Sequence, residues 1–152
     1  MHIYLLRDIE EKELDRMQAL MPGLRAVTGQ LDYILSSEDP GQAQLGQQIA
    51  ESQKMMYFIS ASKACAPGGS AERLIKEFNR LIGKESVLAV AAADVWEQIV
   101  RLLCGQNSAV DPAEPFTLAH IHVKGFPAPG GGVLQAVLCE QDVLARAGDC
   151  NS

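Results

Sequence analysis

Three of the apolar runs in this sequence end in polar or charged residues that could take part in chemistry: Arg7-Asp8, Ser36-Ser37 and Asp94. An arginine donates hydrogen bonds in a rigid fork that fits anionic oxygens, and a carboxylate can act as a nucleophile or neutralise a neighbouring cation. Arg7 is therefore a candidate for binding an anion. Asp8 is interpreted as the ion-pair partner of Arg7 at the strand end, and no catalytic residue is expected; the alternative is an altered chemistry that uses both residues. The acidic run at 10–15 suits the first turn of a helix.

The segments that would position these residues alternate between short apolar runs and amphipathic stretches, as in a sheet covered by helices. The predicted strands are 2–6, 33–35, 55–60, 87–92, 117–123 and 133–138, and the predicted helices are 9–21, 41–54, 71–82 and 95–104. Pro22-Gly23 is predicted to end the first helix, and Asp94 with Glu97 to open the last one as a capping box. The predicted fold class is α/β, with three layers (α/β/α), a mostly parallel central sheet and an antiparallel edge hairpin around the loop 125–132.

Composition restricts the classes of function. A chain of 152 residues, 47% of them hydrophobic, is typical of one globular domain, predicted over 1–146 with a frayed tail at 147–152. The formal net charge of −6 argues against nucleic acid and membrane as partners, and no apolar run has the roughly 20 residues of a membrane span. We expect no metal and no cofactor, because the four cysteines (Cys65, Cys104, Cys139 and Cys150) are scattered. Reduced thiols and the lack of a signal-peptide pattern predict a cytoplasmic protein.

Two other groups of polar residues are predicted to lie on solvated surfaces. His120 and His122 are two residues apart, which places them on one face of a strand at the edge of the sheet. His2 begins the first strand, at the end opposite Arg7. The glutamines of the second helix are interpreted as its solvated face: Gln42, Gln44, Gln47, Gln48 and Gln53.

Five segments, taken in order, resemble the histidine phosphatase superfamily, and within it the SixA-type phosphohistidine phosphatases. The segments are Arg7-Asp8-Ile9, the stretch from Ile34-Leu35-Ser36-Ser37 to Ile49-Ala50, Ala66 to Leu74, residues 87–105, and residues 117–138. The family has Arg-His-Gly at the first and a Gly-His-Asn within the fourth. The resemblance covers nearly the whole chain and implies a phosphoglycerate mutase-like fold, with its site at the carboxyl ends of the strands.

The resemblance also implies which positions would carry the chemistry. In this family the first histidine becomes phosphorylated, and two arginines and a second histidine bind the phosphate. Arg7 matches the first arginine, whereas Asp8 stands at the nucleophilic histidine, Gly41 at the second arginine and Ala92 at the second histidine. Three of the four phosphate-handling groups are therefore missing from a degenerate site in which only Arg7 remains to bind phosphate.

Three functions remain open at this point. The first is a pseudoenzyme that serves as a binding or regulatory module for an unknown protein partner or small ligand. The second is a phosphatase or other phosphoryl-handling enzyme with altered chemistry that uses Arg7 and Asp8. The third is a structural or oligomer-forming domain, and a homodimer is left open.

Overall fold

The computed structural model describes residues 1–105 and 116–149, and six strands within them form one sheet. In chain order the strands are β1 (His2–Arg7), β2 (Tyr33–Ser36), β3 (Ile59–Ala61), β4 (Ser86–Ala91), β5 (Leu118–Val123) and β6 (Gly132–Leu138). Their order across the sheet is β3-β2-β4-β1-β5-β6. The first four strands are parallel, while β5 pairs antiparallel with both β1 and β6. The predicted mostly parallel sheet with an antiparallel edge hairpin is confirmed.

Helices cover both faces of this sheet. The α-helices are α1 (Met21–Thr28), α2 (Pro40–Ser52), α3 (Ala71–Arg80), α4 (Ala93–Cys104) and α5 (Glu140–Asp149), and 3-10 helices run over Glu11–Leu20 and Lys63–Cys65. One core contains side chains of α3 and α4, and the other contains side chains of α1, α2, α5 and the first 3-10 helix. The structure is thus the predicted three-layer α/β/α arrangement. Strand β4 lies between β1 and β2, which explains why its run Val87–Ala91 is fully buried.

The region after β1 differs from the prediction. Instead of one helix ended by Pro22-Gly23, a 3-10 helix over Glu11–Leu20 is followed directly by α1. Pro22 lies in the first turn of α1, where a backbone N–H has no partner within the helix. The proline therefore begins a helix here, because its missing donor costs nothing at that position. The acidic run is locally neutralised, with Glu10 paired to Lys12 and Glu13 paired to Arg16.

The third strand is shorter and later than predicted. Residues 55–58 form a turn in which the Phe58 N–H donates to the Met55 carbonyl at 3.0 Å, and only Ile59–Ala61 pair with β2. Tyr57 is 95% exposed, so its aromatic ring contributes nothing to the sheet core. The prediction of a strand was wrong at residues 55–58, because a strand and a turn with exposed apolar residues have the same composition.

The C-terminal segment contains a helix that the sequence pattern did not indicate. Helix α5 packs on α1 and buries Val143, and its last residues 147–149 fall within the tail predicted to be frayed. Residues 150–152, including Cys150, lie outside the described residues. Within the described residues, no disulfide joins Cys65, Cys104 and Cys139 to one another.

The three histidines lie together on one face of the sheet. Strand β5 is an inner strand between β1 and β6, so the prediction that it forms the edge is wrong. Its register places His122 opposite His2 and His120 opposite Tyr4. His2 Nδ1 is 2.9 Å from His120 Nε2, and the Tyr4 and His120 rings are stacked with centroids 4.5 Å apart. These imidazoles are partly buried against each other and not spread over a solvated face.

We expect this histidine cluster to make the fold acid-sensitive. Burial and the neighbouring histidines lower the pKa of His2 and His120, with the N-terminal ammonium adding to the effect on His2 and Glu85 opposing it. Below about pH 6.5 the unfolded chain therefore binds protons more readily than the folded domain, so stability present above that pH is lost as pH falls. The melting temperature should be lower at pH 5.5 than at pH 7.5, and His120→Gln should reduce the difference. An unchanged difference in the variant would contradict this assignment.

Candidate functional site

The carboxyl ends of β1 and β4 place Arg7, Asp8 and Ala92 side by side. Arg7 is in register with Ala91, and the Asp8 N–H donates to the Ala91 carbonyl at 2.9 Å. Ala92 follows as the N-cap residue of α4. Parallel neighbouring strands end at the same edge of the sheet, so residues far apart in sequence meet there. The topology of the sheet therefore brings Arg7, Asp8 and Ala92 together, as predicted.

Gln42 is the central polar side chain of the site, although it was predicted to lie on the solvated face of the second helix. Its side chain is fully buried, at 0% exposure. Its Nε2 donates to Asp8 Oδ2 at 3.3 Å and to the Cys65 carbonyl at 3.0 Å, while Ser37 Oγ donates to its Oε1. The interpretation as a solvated face is wrong for this residue because the first turn of α2 points at the strand ends and not at solvent.

Gln53 was also predicted to lie on the solvated face of α2, and this prediction is wrong too. It is 3% exposed and fastens the end of α2 to the segment before β2, where the Leu31 N–H donates to its Oε1 at 2.7 Å. Gln44 and Gln47 are exposed, as predicted, and Gln48 is half-buried, with its Nε2 donating to the Leu14 carbonyl. The face of α2 that carries Gln42 also carries the buried Leu45 and Ile49.

The starts of α2 and α4 bring small residues to the positions where the resemblance expects cations. Gly41 is buried in the first turn of α2 and has no side chain to offer a ligand. The Ala92 N–H donates at 3.0 Å to the Cys65 carbonyl, the same oxygen that accepts from Gln42. Asp8, Gln42, the Cys65 carbonyl and Ala92 thus form one connected group. The hydrogen bonds that connect this group are made by the Gln42 side-chain amide and by backbone N–H and C=O groups.

The predicted capping box at α4 is absent. Asp94 lies inside the first turn of the helix and its Oδ2 accepts from the Gly68 N–H at 3.0 Å, while Glu97 pairs with Arg101 at 2.7 Å. Asp94 therefore holds the loop before α3 to the start of α4. Its carboxylate also contributes to the negative potential at the site.

Burial has the largest influence on the pKa of the Asp8 carboxyl. Burial raises the pKa of Asp8, and the charges of Asp39 and Asp94 raise it further, whereas the Gln42 hydrogen bond and the Arg7 guanidinium lower it. The balance of these influences is a raised pKa, so a single arginine does not offset burial and two neighbouring acids. This arrangement disfavours an additional anion near Asp8.

We expect Asp8→Asn to stabilise the domain at neutral pH. A raised folded pKa means that stability is fully present below the unfolded value of about 3.8 and is lost as pH rises through the folded value. Asparagine is neutral and keeps an oxygen that can accept from Gln42. The melting temperature at pH 7 should rise, and the gap between the variant and the original should close at pH 4. A lower melting temperature for the variant at pH 7 would contradict this.

The described residues show neither a metal centre nor a membrane helix. Within 1–105 and 116–149 no three His, Cys, Asp or Glu side chains are grouped so that they could hold a metal ion. No helix in that part of the chain has the length and apolar character needed to cross a membrane. Burial raises the pKa of the Cys65 thiol to about 12, with Glu77 adding to it, so this cysteine is not a reactive thiolate.

The fold described above is that of known phosphatases and mutases. Comparison with protein-family models gives no match, and comparison with curated protein sequences gives none either. Among solved structures, the protein histidine phosphatase SixA complexed with tungstate has a TM-score of 0.70 at 14% identity, over 94% of this chain and 99% of that one.

Two further structures agree with that match. The phosphoglycerate mutase from Bacillus anthracis has a TM-score of 0.69 at 10% identity, over 100% of this chain and 97% of that one. The alpha-ribazole phosphatase from Shigella flexneri has a TM-score of 0.66 at 10% identity, over 92% and 97%. The chain has the fold that these three structures share, which confirms the predicted phosphoglycerate mutase-like fold.

Proposed function

We propose that this chain is a catalytically inactive, SixA-like phosphatase domain that serves as a binding or regulatory module. The observation that carries the proposal is the environment of Asp8. It stands where the resemblance expects the nucleophilic histidine, and it is held by Gln42, a neutral and fully buried amide. Phosphoryl transfer needs a free nucleophile and cations to hold the phosphate against it.

The magnitude of the missing interactions supports inactivity. A hydrogen bond to a charged group contributes about 1.5–3 kcal/mol. Gly41 and Ala92 stand where the resemblance expects an arginine and a histidine, and neither has a side-chain donor. Losing two or three such contacts removes roughly 4–8 kcal/mol, or about three to six powers of ten in rate. Loss of the histidine nucleophile adds to this.

The local charge supports the same conclusion. A phosphate dianion beside Arg7 would also lie in the field of Asp8, Asp39 and Asp94, the acids that act together at this site. An aspartyl nucleophile works where a cation neutralises both the carboxylate and the phosphate. Within the part of the chain that the structure describes, Arg7 is the one cation among the groups that shift the pKa of Asp8.

Phosphatase assays test this proposal. The purified protein would be incubated with p-nitrophenyl phosphate and with a phosphohistidine peptide, beside Asp8→Ala and Arg7→Ala variants and an active SixA enzyme as positive control. We expect no turnover above the level of the two variants. Turnover by the original protein that disappears in both folded variants would establish the alternative, an enzyme with altered chemistry that uses Arg7 and Asp8.

A further inference from the structure

A cationic groove runs along α3 beside the candidate site. It has a volume of about 310 Å³ and is lined by Ser62, Lys63, Ala64, Arg73, Lys76, Glu77 and Arg80. A second hollow of about 620 Å³ shares Lys63, Ala64 and Arg73 with it and extends over the loop 66–70. We call the two together the cationic groove. Among the described residues its four cations stand against a single carboxylate, in a chain whose formal net charge is −6.

Most of the positive charge in the cationic groove is not neutralised. Arg80 pairs with Glu77 at 3.2 Å. Lys63, Arg73 and Lys76 are exposed and form no ion pair with any residue in 1–105 or 116–149. Elsewhere Lys12, Arg16 and Arg101 each have an acidic partner, whereas Arg25, Lys54, Lys84 and Lys124 form no ion pair within the described residues and are not grouped in one concave surface. Three unpaired cations in one concave surface repel each other, and an anionic ligand would relieve that repulsion.

The cationic groove is built on backbone that is already fixed. The Ser62 N–H donates to the Ser36 carbonyl at 2.6 Å, which ties the start of the 3-10 turn Lys63–Cys65 to the end of β2. The Gly69 N–H donates to the Ala66 carbonyl at 2.8 Å, and Ser70 Oγ accepts from the Arg73 N–H at the start of α3. A ligand would therefore meet a preformed surface and would not have to order its backbone.

We propose that the cationic groove binds an acidic segment of a partner protein. This rests on the proposed role of the chain as a binding module, and it names the chemistry of the partner. The helical positions from Arg73 to Arg80 span about 10 Å, the length of roughly three extended residues. A short stretch of aspartate and glutamate spaces its carboxylates suitably to meet Lys63, Arg73 and Lys76 in turn.

Size and lining favour a peptide over nucleic acid. The described residues of the lining include no aromatic side chain on which a base could stack. A long polyanion would also extend beyond the groove onto a chain that carries a net charge of −6. A short acidic segment can end where the cations end, so it avoids that repulsion.

Fluorescence anisotropy with a dye-labelled tetrapeptide of aspartate and glutamate, which matches the length of the groove, tests this inference. We expect saturable binding by the original protein that weakens several-fold between about 50 and 300 mM NaCl, because exposed charges are screened. The double variant Arg73→Ala, Lys76→Ala should bind at least about tenfold more weakly. The matched control Arg25→Ala, Lys124→Ala removes the same two types of cation outside the groove and should bind like the original protein.

Three results would overturn the inference. They are no saturable binding of the acidic peptide up to about 1 mM, equal weakening in the groove variant and the control, or tighter binding of a single-stranded oligonucleotide than of the peptide. Circular dichroism of each variant checks that the helices persist. The outcome is independent of the phosphatase assays. Any turnover would depend on Arg7 and Asp8, and neither double variant alters these two residues.

Discussion

Gln42→Glu is expected to destabilise the domain by about 3–5 kcal/mol at pH 7, as when a charge is left buried and uncompensated. The substitution keeps the shape of the side chain and replaces its amide donor by a carboxylate oxygen. That oxygen would face Asp8 Oδ2 and the Cys65 carbonyl, both of which now accept from Gln42. The new buried carboxylate, the partly buried Asp8 carboxylate and a carbonyl would then meet without a proton between them.

The pH dependence of this variant identifies the cause. Burial and Asp8 should raise the pKa of the introduced carboxyl above the unfolded value of about 4.3. Stability is then fully present below that value and is lost as pH rises through the folded value. Urea denaturation at pH 4.5 and at pH 7 should show a much larger loss at pH 7.

Two further variants make the experiment specific. Gln47→Glu makes the same chemical change on the exposed face of α2 and should alter stability by less than about 0.5 kcal/mol. Adding Asp8→Asn to Gln42→Glu restores a donor beside the new carboxylate and should recover a large part of the loss. If Gln42→Glu is as stable as Gln47→Glu, Gln42 does not hold Asp8.

Gly69→Ala is the second substitution expected to be severe, with a loss of about 3 kcal/mol from overpacking. A Cβ at this position would lie 2.3 Å from the Ala64 carbonyl oxygen and 2.8 Å from the Ala66 carbonyl oxygen. Both are backbone atoms, which cannot rotate away as a side chain can. The segment that includes Cys65 would have to move, and its carbonyl accepts from Gln42 and Ala92.

The neighbouring glycine provides the control. Gly68 has φ +77°, yet a Cβ there would meet nothing within 4 Å. Gly68→Ala should therefore cost only the backbone strain of the left-handed region, about 1–2 kcal/mol. Chemical denaturation of the two variants would compare the effects directly. A loss for Gly69→Ala no larger than for Gly68→Ala would show that the loop accommodates the methyl group.

We expect the main contribution of the site to be to the stability of the fold. In an active phosphatase the strand ends present groups to a ligand, whereas here Asp8, Gln42 and Ser37 hydrogen-bond to each other. We expect substitutions at Gln42 to change stability first, and the cationic groove on α3 to determine which partner binds. The proposed inactivity and the proposed binding therefore depend on different residues.

Much of the fold follows from local pattern. Continuous apolar runs such as Val87–Ala91 are typical of inner parallel strands, and the stripe Leu74, Ile75 and Phe78 is typical of a helix packed on a sheet. The same local reasoning failed at residues 55–58, where an exposed turn has the composition of a strand. It also failed at Pro22, because a proline ends one helix and begins another equally well.

The sequence by itself determined which residues, Arg7, Asp8, Gly41 and Ala92, stand at the positions that its resemblance to histidine phosphatases assigns to the site, since identity and order are local information. Only the tertiary structure decided that Gln42 lies inside and holds Asp8. The spacing of Gln42 with Leu45 and Ile49 already carried a signal, but a polar residue at the end of an apolar stripe can face solvent or a strand end. The position of the first turn of α2, where Gln42 contacts Asp8 after β1 and Ser37 after β2, decides between the two. The grouping of Lys63 with Arg73 and Lys76 likewise depends on how the 3-10 turn packs against α3, which no short-range pattern specifies.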